Sequence, residues 1–297
     1  MAENPQQLLK NLVPSGEFFI GIDSDGCVFD TMEIKQKECF CPNVIKHFEL
    51  QTISKFARET WEFVNLYSKT RGCNRFLAVE RLFELLPKRK DVLKRKPVFK
   101  DITPLKEWLK KESKLGNPAL ERYVAETRDP FMQLLLIWSL EVNTDIAKMV
   151  YGIGPFPYVI ESLEKMQKHA DAIVVSQTPV EALTREWEEN NMSKYIRVIA
   201  GQEYGTKTEH IALAAKGKYP DNKILMIGDA PGDKKAAKSN GVLFYPVNPG
   251  HEDASWERFY TEALDKFFNG TYEGGYEKSL IDEFEGYLPE HPGWEEV

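Results

Sequence analysis

The chain has 297 residues, enough for one large domain or two modest ones, with 42% apolar residues to build their cores. Its net charge of −7 argues against broad nucleic-acid binding, and its longest apolar run, Leu134–Trp138, is too short to span a membrane. The start Met-Ala-Glu-Asn-Pro-Gln-Gln lacks a secretory signal's basic end and apolar centre, and Cys27, Cys39, Cys41 and Cys73 show no disulfide framework, so a cytoplasmic, reduced protein is expected.

The first predicted element is a strand over residues 17–23 that runs into Asp23-Ser24-Asp25-Gly26. Residues two apart on a strand share a face, so both carboxylates emerge together, and the glycine lets the chain turn behind them. Two acids side by side repel each other unless a cation or an anionic reaction uses them. The competing reading is an Asp-Gly turn leading into a helix, and Asp30-Thr31 reads as that helix's cap.

Residues 32–152 carry helical patterns and little strand pattern. Phe56, Trp61, Phe63 and Leu66 suggest one helix, and Phe76, Val79, Leu82, Phe83 and Leu86 form a clear helical stripe. Leu105, Trp108 and Leu109 mark another. Cys39-Phe40-Cys41 has metal-pair spacing, but no further Cys or His cluster completes a site. The run Lys88-Arg89-Lys90 to Lys94-Arg95-Lys96 reads as a solvated face. Gly152-Ile153-Gly154-Pro155-Phe156-Pro157 is hinge-like punctuation.

From residue 158 helix and strand alternate: helix 160–168, strand 171–176, helix 182–191, strand 197–200, helix 208–216, strand 223–228, helix 232–240 and strand 242–246. Alternation of this kind means a parallel sheet with crossover helices, whose strand C-termini lie along one edge where ligands bind. One such strand ends in Ser176-Gln177-Thr178-Pro179 and another in Gly228-Asp229-Ala230-Pro231-Gly232-Asp233, with Gly205-Thr206-Lys207 between them. Each has an ordinary reading as well: Ser176 or Thr178 as a cap for the next helix, Lys207 as a solvated residue, Asp233 as an N-terminal helix acid. No Gly-x-Gly-x-x-Gly follows the first strand, which disfavours dinucleotide binding. The tail after 270 shows no motif.

The ordered set Asp23-x-Asp25-Gly26, Ser176, Lys207 and Gly228-Asp229-x-x-x-Asp233 resembles the four motifs of the haloacid dehalogenase-like (HAD) hydrolases. The resemblance implies an α/β fold, a Rossmann-like parallel core of residues 1–31 and 153–297 with a mainly helical cap of residues 32–152. It implies Asp23 as the nucleophile that forms an aspartyl-phosphate and Asp25 as the acid that protonates the leaving oxygen. Mg2+ would be held by Asp23, the backbone carbonyl of Asp25 and Asp229, with Asp233 holding a metal-bound water or orienting Lys207. Lys207 and Ser176 would stabilise the phosphoryl oxygens. Thr70-Arg71-Gly72-Cys73-Asn74-Arg75 resembles a cap loop that selects substrate, so Arg71 and Arg75 become candidate substrate contacts, against a reading as solvated arginines. The expected reaction is hydrolysis of a small phosphorylated metabolite. A phosphomutase and a non-catalytic phospho-ligand-binding protein of the same fold stay open as alternatives. A phospho-receiver domain leaves the large insert unexplained.

Overall fold

The computed structural model describes residues 5–295, and it separates into two compact units, Met1–Met32 with Gly152–Tyr287, and Glu33–Tyr151 with Leu288–Val297. The first unit is α/β, the class expected. Its five strands are β1 (Phe18–Ile22), β2 (Ala170–Val175), β3 (Val198–Ala200), β4 (Ile224–Gly228) and β5 (Leu243–Pro246). They pair in the order β3-β2-β1-β4-β5, with every pairing parallel. β1 is buried along its whole length, which is why its sequence is continuously apolar rather than alternating. Phe18, Ile20 and Ile22 join a core with Leu163, Trp187, Trp256 and Phe267, while Phe19 meets Tyr219.

The chain goes from β1 to β2 and β3 on one side, then to β4 and β5 on the other. The order therefore reverses between β1 and β4, the position where open α/β sheets bind ligands beyond the strand C-termini. At the opposite end of the sheet, the buried Asp171 carboxylate accepts from Ser15 N (2.7 Å), Gly16 N (2.8 Å) and the Tyr219 hydroxyl (2.6 Å). The segment after 270 has a defined task in this unit. Tyr272 donates to Phe244 O (2.7 Å) and Glu277 accepts from Phe244 N (2.9 Å), so the outer edge of β5 is covered.

The second unit is helical. Its longer helices are Ser54–Asn65, Arg75–Leu85, Thr103–Lys111, Asn117–Thr127 and Pro130–Met149. The stripe of Phe76, Val79, Leu82, Phe83 and Leu86 is buried throughout, in a core that includes Trp61, Trp108 and Trp138. Asn74 caps the second of these helices by accepting from Phe76 N (3.0 Å), and Asp129 caps the last through Met132 N (3.0 Å). Among the described residues no helix is long and apolar enough to cross a membrane.

Two expectations change here. The C-terminal segment does not belong wholly with the α/β unit: residues from Leu288 cluster with the helices, where Trp294 packs on Phe63 and lies 4.2 Å from the Arg89 guanidinium. A short segment without periodicity carries no sequence sign of which core its tryptophan joins. The basic run is not uniformly solvated either. Lys88, Lys90 and Lys94 are exposed, but Arg89 is buried, paired with Glu59 and bonded to Thr60 Oγ1 (3.2 Å). Its planar guanidinium also stacks on Phe56, which a lysine would do less well.

Candidate active site

Asp23 follows β1 directly, and its N–H donates to Ile227 O (3.0 Å), which extends the β1–β4 ladder by one bond. The chain then turns. Gly26 takes φ +75°, and the N–H groups of Cys27, Val28 and Phe29 all point at Ser24 O. Alternation survives this turn: Ser24 faces the core, fully buried, and its hydroxyl accepts from Trp187 Nε1 (3.0 Å). Asp23 faces the other way, where its Oδ1 accepts from Ser24 N (2.8 Å) and its Oδ2 lies 2.7 Å from Lys207 Nζ.

Lys207 is the first residue of the Lys207–Ala214 helix, a position where the helix dipole disfavours a cation. The helix start is held by a reciprocal cap between Thr206 and Glu209. Gly205 precedes it at φ +111°, and a Cβ there would meet Glu209 Oε2 at 2.6 Å, so this approach needs glycine. The lysine is compensated by carboxylates, since its Nζ also lies 2.5 Å from Asp233 Oδ1. Burial works against its charge, but Asp23 and Asp233 outweigh burial and hold its pKa above the ordinary value.

Asp229 follows β4 and is 1% exposed, and Asp233 opens the Pro231–Asn240 helix with no exposure at all. Gly228 allows their approach, because a Cβ there would meet Asp233 Cβ at 2.3 Å. One carboxylate oxygen from each of Asp23, Asp229 and Asp233 lies within 4.8 Å of the others. Burial pushes Asp23 up to about 6 against the pull of Lys207, with the Asp229 charge adding to the rise, and burial pushes Asp233 up to about 6 as well. Three buried carboxylates beside one ammonium leave an excess of negative charge. A hard divalent cation would offset it, and an all-oxygen donor set suits magnesium better than zinc.

Asp25 is half-buried, and its carboxylate accepts from two hydroxyls: Thr178 Oγ1 donates to its Oδ2 (3.0 Å) and Thr31 Oγ1 to its Oδ1. Both threonines read as helix caps in the sequence. Instead, Thr31 turns to Asp25, and the Val180–Glu189 helix begins after Pro179 with no side-chain cap. Spacing alone could not separate the roles, because a hydroxyl beside a helix start is the usual capping pattern. Ser176 sits just past β2 and is 2% exposed. Its Oγ accepts from Thr178 N (3.2 Å), which leaves its own proton for an acceptor elsewhere.

The turn after β2 is joined to the segment leading to Lys207. Gln177 Nε2 donates to Gly205 O (2.9 Å), Gln202 N to Thr178 O (3.1 Å), and Val180 N to Glu203 Oε2 (3.1 Å). A Cβ on Gly201 would meet Thr178 O at 2.5 Å, so glycine permits the contact. Arg71 and Arg75 lie in the helical unit and have tasks there. Buried Arg71 donates to Leu66 O (2.9 Å). Arg75 donates to Ser139 O (3.1 Å) and Asn143 Oδ1 (2.8 Å), and its guanidinium lies 4.9 Å from the Phe40 ring centre. Cys39 and Cys41 are buried free thiols.

Neither a family model nor a curated protein matches this sequence. Solved structures similar to it include a Lactobacillus delbrueckii subsp. bulgaricus protein provisionally assigned as a phosphoglycolate phosphatase, at 17% identity and TM-score 0.46, covering 83% of this chain and 92% of that one. A haloacid dehalogenase-like family hydrolase from Streptococcus pneumoniae is similar at 12% identity and TM-score 0.44, covering 82% and 91%. A HAD-superfamily hydrolase of subfamily IA from Geobacter sulfurreducens is similar at 12% identity and TM-score 0.42, covering 79% and 89%.

Proposed function

We propose that this chain is a magnesium-dependent phosphatase of the haloacid dehalogenase-like type, which hydrolyses a small phosphorylated metabolite through an aspartyl-phosphate. The observation that carries the reading is the difference in how two acids two residues apart are held. Asp23 is bridged by Lys207 to Asp233 beside Asp229, whereas the Asp25 carboxylate takes hydroxyl donors, Thr31 and Thr178. A site that only bound phosphate would need the first arrangement and not the second.

In this reading an oxygen of the Asp23 carboxylate attacks phosphorus as the bond from phosphorus to the ester oxygen breaks. The Asp25 carboxyl gives its proton to that leaving oxygen, then takes one from the water that attacks the acyl phosphate. Lys207 opposes charge on the phosphoryl oxygens and keeps Asp23 in place, and the Ser176 hydroxyl donates to one of those oxygens. Magnesium, held by Asp23, Asp229, the backbone carbonyl of Asp25 and Asp233 directly or through water, would supply the positive charge that lets a carboxylate approach a phosphate dianion. Asp233 also fixes Lys207.

The test is phosphate release from a panel of small phosphomonoesters, with and without magnesium, and with Asp23→Asn as control. Magnesium-dependent release by the wild type, lowered by more than about a thousandfold in the variant, is the expected result. Release that survives full metal removal or the substitution sinks the reading. Isomerised sugar phosphate without free phosphate would replace hydrolysis by a mutase.

A further inference from the structure

We infer that Thr178 is a positioning residue for the proton-transfer step, and that it aligns Asp25 and Ser176 together. Three groups of this residue point to three parts of the site. Its hydroxyl donates to Asp25 Oδ2 (3.0 Å), its N–H donates to Ser176 Oγ (3.2 Å), and its carbonyl accepts from Gln202 N (3.1 Å) on the segment that leads to Lys207. None of these bonds caps the following helix, which starts after Pro179 without a side-chain cap.

The inference rests on the phosphatase reading and adds one element to it. A carboxyl can protonate a leaving oxygen only if the proton lies on the side facing that oxygen. Asp25 sits past the end of β1, at the turn that brings it beside Phe29. The Thr178 hydroxyl meets one carboxylate oxygen from the β2 side, and Thr31 meets the other. The carboxylate plane is thereby set between the turn after β2 and the start of the Thr31–Ile34 helix. The same residue's N–H engages the Ser176 oxygen, so the serine proton is left for the phosphoryl group. In the transfer itself, the Asp25 O–H proton passes to the bridging oxygen, which keeps the electron pair of the breaking P–O bond, and Asp25 is left as the carboxylate.

Thr178→Val keeps the shape and the backbone bonds and removes only the hydroxyl; Thr178→Ser keeps the hydroxyl. The measurement is kcat/KM on an alkyl phosphate, whose leaving oxygen needs a proton, and on p-nitrophenyl phosphate, whose leaving group needs almost none. Thr178→Val should lose about tenfold to a hundredfold on the alkyl ester and less than about threefold on the aryl ester, the scale of one hydrogen bond to a charged group. Thr178→Ser should stay within about threefold of wild type on both. Equal losses on the two esters, or no loss on either, overturn the inference. A crystal structure of Thr178→Val supplies a readout independent of turnover: a rotated Asp25 carboxylate supports the role and an unmoved one refutes it. Wild-type protein inactive on every ester would remove the phosphatase reading, while that structure still decides whether Thr178 orients Asp25.

Discussion

Lys207 Nζ lies 2.7 Å from Asp23 Oδ2, so a cation carried on the crossover between β3 and β4 is delivered to the end of β1. Neither residue is comfortable alone. Asp23 is buried beside two further acids, and Lys207 occupies a helix start that disfavours positive charge. Together they are neutral, so the excess negative charge of Asp229 and Asp233 is what a divalent cation would have to offset before a phosphate could approach.

That imbalance predicts an unusual pH dependence. Burial pushes the Asp23 and Asp233 carboxyls up from 3.8 to about 6, against the pull of Lys207. A raised folded-state pKa means that the folded form holds these protons more tightly than the unfolded chain does. The resulting stability is fully present below about pH 3.9 and is lost as pH rises through about 6. Without metal, denaturant unfolding should show stability falling between about pH 4 and 6 by on the order of a few kcal/mol. Asp23→Asn should flatten that slope, and magnesium should restore stability at the upper end. A wild-type slope unchanged by Asp23→Asn would refute the account.

Gly228→Ala should damage the site from behind. The added Cβ would fall 2.3 Å from Asp233 Cβ and 2.4 Å from its Cγ, so the acid that fixes Lys207 has to move. Overpacking of this kind costs about 1–3 kcal/mol, and activity should fall with it. Differential scanning calorimetry and phosphate release check both halves; wild-type values in either would show that the strand and helix shift freely here.

Asp171→Asn should separate stability from catalysis, because Asp171 lies at the far end of the sheet from Asp23. Burial alone would push its carboxyl up, yet the donors at Gly16, Ser15 and Tyr219 hold it well below the usual carboxylate range. A lowered folded-state pKa gives stability that is present above about pH 3.9 and lost as pH falls further. The substitution should cost about 2–3 kcal/mol at neutral pH and leave kcat unaltered. A fall in kcat with no change in unfolding midpoint would contradict this.

Arg75→Met should act on the helical unit. Burial lowers its pKa to about 10, and its guanidinium bonds Ser139 and Asn143 while covering Phe40. The expected result is a lower melting temperature with KM unchanged for molecules that remain folded. A raised KM at unchanged melting temperature would instead make Arg75 a substrate contact.

The sequence by itself determined the strands and their polar ends. A buried parallel strand must be apolar along its length, so Phe18–Ile22 and Ile224–Gly228 stand out, and the acids that end each run are conspicuous against it. The helical stripe from Phe76 to Leu86 was legible for the same reason: burial on one face leaves a period. Tertiary structure decided what the short polar residues do. Thr31 and Thr178 resemble caps locally; Thr31 reaches Asp25 through the turn after β1, and Thr178 reaches it only because β1 and β2 lie side by side. Arg89 reads as one cation in a basic run until Glu59, Phe56 and Trp294 enclose it. Ser24 shows no partner in the sequence, and only the fold brings the Trp187 indole to it from a later helix. Periodic burial is written into consecutive residues, whereas a hydroxyl's or a guanidinium's partner depends on which distant segments the fold brings within 3 Å or so of it.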